Sequence, residues 1–139
     1  MEDLLNTTQR PKVEEYEHML FLVLRRIEWD SNNSELSSEQ VSFILTDSKL
    51  ISFQERNDNL FTPIEQRLEK SKGRIRASDS YYLLYSIMDM IIDKYFLVLE
   101  KIEEKIDEIE TNLQNRFDTI NVKEIHDLKH AMTVFKKNV

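Results

Sequence analysis

The sequence has 139 residues, 40% of them apolar and 32% charged, which excludes a disordered tail or a membrane span and fits one domain with a modest core. Its formal charge of −7, from 26 acidic and 19 basic residues, argues against nucleic acid and anionic lipid as partners and leaves cations as the charged partner. With no cysteine there are no disulfides, thiolate zinc sites or cysteine nucleophiles, and one glycine with two prolines favours long uninterrupted helices.

Residues 1–6 read as the end of a short helix, stopped before Arg10-Pro11. They lack the basic start and apolar stretch of a signal peptide. Residues 13–29 hold Tyr16, Met19, Leu20, Phe21, Leu22, Val23, Leu24 and Ile27, a run suited to one buried strand. The polar interval 30–39, rich in Ser and Asn, reads as a loop. Residues 40–45 and 50–54 are short β-branched and aromatic runs joined by Thr46-Asp47-Ser48-Lys49, a hairpin signal without the Asn-Gly that would strengthen it.

From about residue 60 the period becomes helical. Thr62-Pro63-Ile64-Glu65 offers a capping hydroxyl, a proline in the first turn and a reciprocal Glu, with Gly73 as the stop. Residues 73–76 then link to the clearest local signal. Tyr85, Met88, Ile92, Tyr95, Leu99, Ile102, Ile106, Ile109 and Leu113 recur with alternating spacings of three and four, as in a heptad seam. Residues 81–99 are apolar on several faces and are expected to be buried on more than one side. Residues 100–110, with six acids against two lysines, read as a solvated acidic face with one apolar stripe. A break at 115–121 precedes a second capped start at Asn121-Val122-Lys123-Glu124, and Ile125, Leu128, Met132 and Phe135 continue the rhythm. The simplest packing is an antiparallel helical hairpin. The fold class expected is therefore α+β: about three short antiparallel strands, mainly in residues 1–57, packed with helices in 58–139. The longest apolar stretches, 19–24 and 81–92, are too short to span a bilayer, so the sequence taken alone reads as soluble.

A lone glycine excludes phosphate cradles and nucleophile elbows. His126 and His130 lie four apart on one helix face, as in zinc enzymes. Asp127 stands where a zinc protease has Glu, however, and no third ligand is evident, so two exposed histidines is the favoured reading. Asp89 and Asp93, also four apart, interrupt the most apolar helix, where an unpaired Asp is expensive to bury. Spacing alone favours a structural role, in water or paired with Lys94 or an arginine of the 73–76 link, over a cation site. Glu2 and Asp3 carry the same two readings. Trp29, Tyr81 and Tyr82 read as core, and Arg74 and Arg76 as partners of local carboxylates.

Five blocks in order carry a family resemblance: Glu2-Asp3-Leu4-Leu5-Asn6, residues 9–14 (QRPKVE), Glu39-Gln40-Val41-Ser42, Phe53-Gln54-Glu55, and residues 79–96 (DSYYLLYSIMDMIIDKYF). The sequence resembles the cytosolic domain of CorA-type magnesium and cobalt transporters. That resemblance implies a homopentameric inner-membrane channel in the full-length protein. It also implies a cytosolic domain, a long stalk helix, two transmembrane helices and a Gly-Met-Asn loop. Regulatory Mg²⁺, with Co²⁺ as a second cation, is implied between neighbouring cytosolic domains, on carboxylates that fall on Asp3 with Glu2 beside it, and on Asp89 with Asp93 as neighbour. The sequence has no counterpart of the stalk ligand, of Gly-Met-Asn or of the membrane spans, so it is expected to be a piece of a longer transporter, on its cytoplasmic side and attached to the membrane only through the missing segments. The resemblance implies no enzymatic activity. A zinc-transporting relative and a soluble coiled-coil interaction domain are the alternatives.

Overall fold

A computed structural model describes residues 6–7, 9–30, 35–70, 73–115 and 122–139. Among them are four strands and three helices: β1 (Lys12–Tyr16), β2 (Met19–Asp30), β3 (Glu35–Leu45), β4 (Leu50–Gln54), α1 (Thr62–Glu69), α2 (Ser80–Asn115) and α3 (Val122–Asn138). The strands form one sheet in the order β1-β2-β3-β4. The fold is α+β, as expected, with one strand more than anticipated.

The extra strand comes from within residues 13–29, which form a hairpin and not a single strand. Tyr16 pairs with Met19, so Glu17 and His18 alone make the turn. Apolar content does not register this reversal, because β1 has only Val13 and Tyr16 as apolar residues. The second correction concerns residues 30–39, expected to be a loop. Asp30 ends β2 and Glu35 already begins β3. Polar residues are tolerated in this strand because they find partners. Glu39, 3% exposed, accepts the Arg56 N–H at 2.8 Å, and Ser37 Oγ donates to the Glu28 carbonyl at 3.3 Å. Strand β2 buries Phe21, Leu22 and Val23 in succession, and β3 buries residues 39–43, so both central strands are covered on both faces.

The β3–β4 hairpin forms at the expected place, with Leu45 opposite Leu50. Thr46 closes the turn without glycine: its N–H donates to the Lys49 carbonyl at 2.9 Å, and its hydroxyl accepts the Lys49 N–H at 3.2 Å. Helix α1 begins at Thr62, but no side chain caps it. Its first turn is instead closed by the Phe61 carbonyl, which accepts the N–H groups of Ile64 and Glu65, both at 2.9 Å. The helix stops at Glu69, short of Gly73, whose φ of 76° is the left-handed conformation that glycine adopts without strain.

The chain forms two compact units. The first comprises Met1–Arg26 and Glu39–Asp93; its fully buried side chains include Val23, Val41 and Phe43. The second comprises Ile27–Ser38 and Lys94–Val139. Its core is Ile27, Val98 and Ile102, with Trp29, Leu36, Tyr95, Ile106, Leu128 and Phe135 packed against them. The Tyr95 and Phe135 rings meet edge to face at 6.1 Å. That contact, near the start of this part of α2 and near the end of α3, makes the two helices an antiparallel hairpin.

In the first unit Arg26 bridges two carboxylates, those of Glu39 at 3.4 Å and of Asp58. The hydrogen bond from Arg26, aided by the Leu60 N–H at 3.1 Å, holds the Asp58 carboxyl below its ordinary value of 3.8 against the opposing effect of desolvation. A depressed folded-state value means that Asp58 stabilises the fold at neutral pH and loses that contribution as pH falls from 3.8 through the folded value. Asp58→Asn is therefore expected to lower the urea midpoint at pH 7, with the gap to wild type closing once the pH drops below about 4. A gap independent of pH would show that the carboxylate charge is not what matters.

Candidate metal centre

Helix α2 starts where Asp79 caps it: the Asp79 carboxylate accepts the Tyr82 N–H at 3.0 Å. No glycine or proline occurs between residues 80 and 115, so nothing interrupts the helix. Ser86, buried within it, satisfies its hydroxyl by donating to the Tyr82 carbonyl at 2.9 Å.

The buried row of α2 differs from the expected heptad seam. Leu84, Ile87, Ile91, Val98 and Ile102 are buried, with Tyr95, Ile106 and Ile109 partly so. Their spacings run 3-4-4-3-4-4-3, an eleven-residue pattern. Tyr85, Ile92, Leu99 and Leu113 of the expected seam are 60%, 41%, 43% and 37% exposed. A 3-4 seam requires the helix to supercoil round a partner, whereas the 3-4-4 row averages 3.67 residues per turn and suits a nearly straight helix on its own sheet and hairpin. Residues 82–84, 86–88, 90 and 91 are buried or half-buried, so this stretch is covered on more than one side, as expected, and one side of it stays open.

Within the first unit this leaves a second apolar row in the open: Tyr81 at 54%, Tyr85 and Ile92. Positions 81, 85 and 92 fall on one helix face. Tyr81 is therefore not core, while Trp29 is, in the second unit. Asp89 and Asp93 are both exposed and flank this row. Neither carboxylate makes an ion pair or a side-chain hydrogen bond among the described residues, so of the two structural arrangements expected, in water or paired with Lys94 or the 73–76 link, it is the first that is found. Two ionised oxygen donors one turn apart, in water and free of protein cations, have the donor chemistry that a hard cation takes through its own hydration shell. They are a pair and not a cage: no group of three or more His, Asp or Glu among the described residues is placed to hold a metal ion. Glu2 and Asp3 lie outside the described residues.

The other motifs fall in the second unit. The acids of residues 100–110 are exposed, and Lys101–Glu104 and Lys105–Glu108 pair along the helix at 2.5 and 2.6 Å, contacts worth about 0–1 kcal/mol each at a surface. His126 and His130 are exposed on α3. No helix among the described residues is long and apolar enough to cross a membrane. What sequence reasoning missed is the uncovered row beside Asp89. The available signal was two apolar rows on one helix, Leu84-Ile87-Ile91 and Tyr81-Tyr85-Ile92, of which one domain's core covers only one.

The profile of the family described as CorA-like Mg²⁺ transporter protein matches residues 1–139. The chain is 41% identical over all 139 residues to the cobalt/magnesium transport protein CorA of Thermotoga maritima, and spans 40% of that relative's length. Among solved structures, it resembles the soluble domain of CorA from Methanocaldococcus jannaschii with a TM-score of 0.75 and 18% identity, covering 95% of this chain and 52% of that one. The ZntB cytoplasmic domain from Vibrio parahaemolyticus is similar at 0.74 and 20%, covering 98% of this chain and 52% of that one. At these identities the two structures share the fold.

Proposed function

The chain belongs to the CorA-like Mg²⁺ transporter family, and from that premise we propose that it is the cytosolic Mg²⁺-sensing domain of a divalent-cation channel for Mg²⁺ and Co²⁺. In this reading it gates the pore through carboxylate–metal sites between subunits of a homopentamer in the inner membrane. The transport of cobalt and magnesium named for the Thermotoga relative supports the cations. Such a domain performs no covalent chemistry, so no enzymatic role is assigned to it.

The observation that carries the reading is the exposed apolar row Tyr81-Tyr85-Ile92 flanked by unpaired Asp89 and Asp93. A row of this kind suits contact with another subunit, because it removes apolar area from water. The two acids beside it oppose that contact, since a neighbour's acids, Glu2 and Asp3 among them in this proposal, would repel them. Bound Mg²⁺ supplies two positive charges at such a seam and prefers oxygen donors, often reached through its own waters. The protein's residues then do two things: Asp89 and Asp93 present the negative charge that is neutralised, and the tyrosines and Ile92 provide the surface that closes. Loss of the cation restores repulsion and shifts the population toward open forms.

The test is transport by the full-length protein with Asp3 and Asp89 both changed to Ala. Flux is expected to be less inhibited by internal Mg²⁺ than in wild type, and unchanged inhibition would sink the proposal. A second reading keeps the architecture and changes the ion to zinc. The near-equal likeness to the ZntB domain fits both readings, and the absence of cysteine with carboxylate donors favours the hard ion. A coiled-coil adaptor built on the 85–113 seam fits less well, because half of that seam is not the row that α2 buries.

A further inference from the structure

The histidine pair of α3 is not used by the reading above. His126 and His130 are four residues apart on a 17-residue helix, which places their β-carbons about 5–6 Å apart on one face, one turn above the other. The face that α3 packs inward carries Leu128 and Phe135 against the second unit's core and Ala131, 2% exposed. The histidines lie on the other side, where both are exposed. Neither imidazole makes an ion pair or hydrogen bond among the described residues. Exposed Asp127, between them in sequence, adds negative charge to the same surface.

We infer that His126 and His130 form a two-imidazole clip for a borderline transition cation such as Ni²⁺, Cu²⁺ or Zn²⁺, in which water fills the remaining coordination positions. Imidazole nitrogen suits these ions and does not suit Mg²⁺, which holds to oxygen donors and its own hydration shell. The spacing is the one by which two helical histidines grip zinc in metalloenzymes, reduced here to two ligands. The clip is independent of the carboxylates on α2, so each can fail without the other.

The experiment is calorimetric titration of the 139-residue chain with NiCl₂, in a background of about 10 mM Mg²⁺ that keeps oxygen-donor sites filled. One Ni²⁺ per chain is expected, with Cu²⁺ binding more tightly, as ligand-field preference dictates. His126→Ala and His130→Ala should each weaken binding by about tenfold or more, as loss of one of two ligands requires. His18→Ala, in the β1–β2 turn, should leave it unchanged. Because all three side chains are exposed, circular dichroism and the metal-free melting temperature of each variant should match wild type. In the wild type and in His18→Ala, Ni²⁺ should also raise the melting temperature, and by less in either α3 variant, since only the folded helix presents the pair. Equal binding by wild type and both α3 variants would overturn the inference, as would the absence of any heat or melting shift at millimolar Ni²⁺.

Discussion

Replacing Phe43 with Ala is expected to cost about 3–5 kcal/mol, the range for truncating a fully buried phenylalanine. Phe43 is 0% exposed, near the C-terminal end of β3, and meets the Phe61 ring edge to face at 6.4 Å and 76°. The substitution removes the transfer free energy of the ring, leaves a cavity that neighbouring strands cannot fill, and breaks the aromatic pair. Against a total stability of about 5–15 kcal/mol for a domain, that is a large fraction, to be read from urea unfolding at constant slope. The control is on the same hairpin. Phe53 pairs with Ser42, so it points to the opposite face from Phe43, and it is 40% exposed. Phe53→Ala should cost about 1 kcal/mol or less, as for a partly exposed site. Equal losses at the two positions would mean that the hairpin register is wrong.

Glu39→Gln should cost about 3 kcal/mol, the lower part of the range for breaking a buried ion pair. The Glu39 side chain is 4% exposed and that of Arg26 11%, so neither charge is well solvated. One Glu39 oxygen accepts from Arg26, and the other accepts the Arg56 N–H. The amide keeps the size but not the charge, and one of its two heteroatoms becomes a donor facing donors. Arg26 retains Asp58 as a carboxylate partner, which is why the loss stays at the lower end. The double variant with Asp58→Asn should lose more than the sum of the two singles, because the shared guanidinium then has neither carboxylate. Additive losses would refute the view that Arg26 couples them.

Much of this architecture is legible in the residues, for reasons that differ by element. The Thr46–Lys49 turn was readable because β-branched and aromatic runs flank it, and its threonine does locally what glycine usually does by backbone freedom. The α2 helix was readable from its uninterrupted apolar content. The row it buries was not, since both the 3-4 and the 3-4-4 readings pass through Tyr95, Ile102, Ile106 and Ile109, and only the covering sheet and hairpin choose between them. The Glu17-His18 turn was hidden because β1 carries only Val13 and Tyr16 as apolar residues, too few to register as a strand separate from the run that starts at Met19. Residues 35–39 misled for a related reason: Glu39 looks like a loop residue until Arg56 is brought to it by the segment after β4. At the candidate metal centre, spacing favoured a structural role for Asp89 and Asp93. Only the family resemblance, which the comparisons bear out at the level of the family, pointed to sensing. Their exposure without partners is a tertiary fact that no local pattern encodes.

The two margins of the sheet are guarded unequally. Along β1, Lys12, Glu14 and Tyr16 lock together, Lys12 to Glu14 at 2.7 Å and the Tyr16 hydroxyl to Glu14 at 2.8 Å, so any strand arriving there meets charge. Along β4, which ends the sheet on the other side among the described residues, the five residues Leu50–Gln54 carry no charge and expose Ile51 and Phe53. Uncharged, β-prone margins are where separate molecules stitch their sheets together. In concentrated stock the chain will therefore age from β4, and Ser52→Lys, at an exposed position of that strand, would lengthen its shelf life.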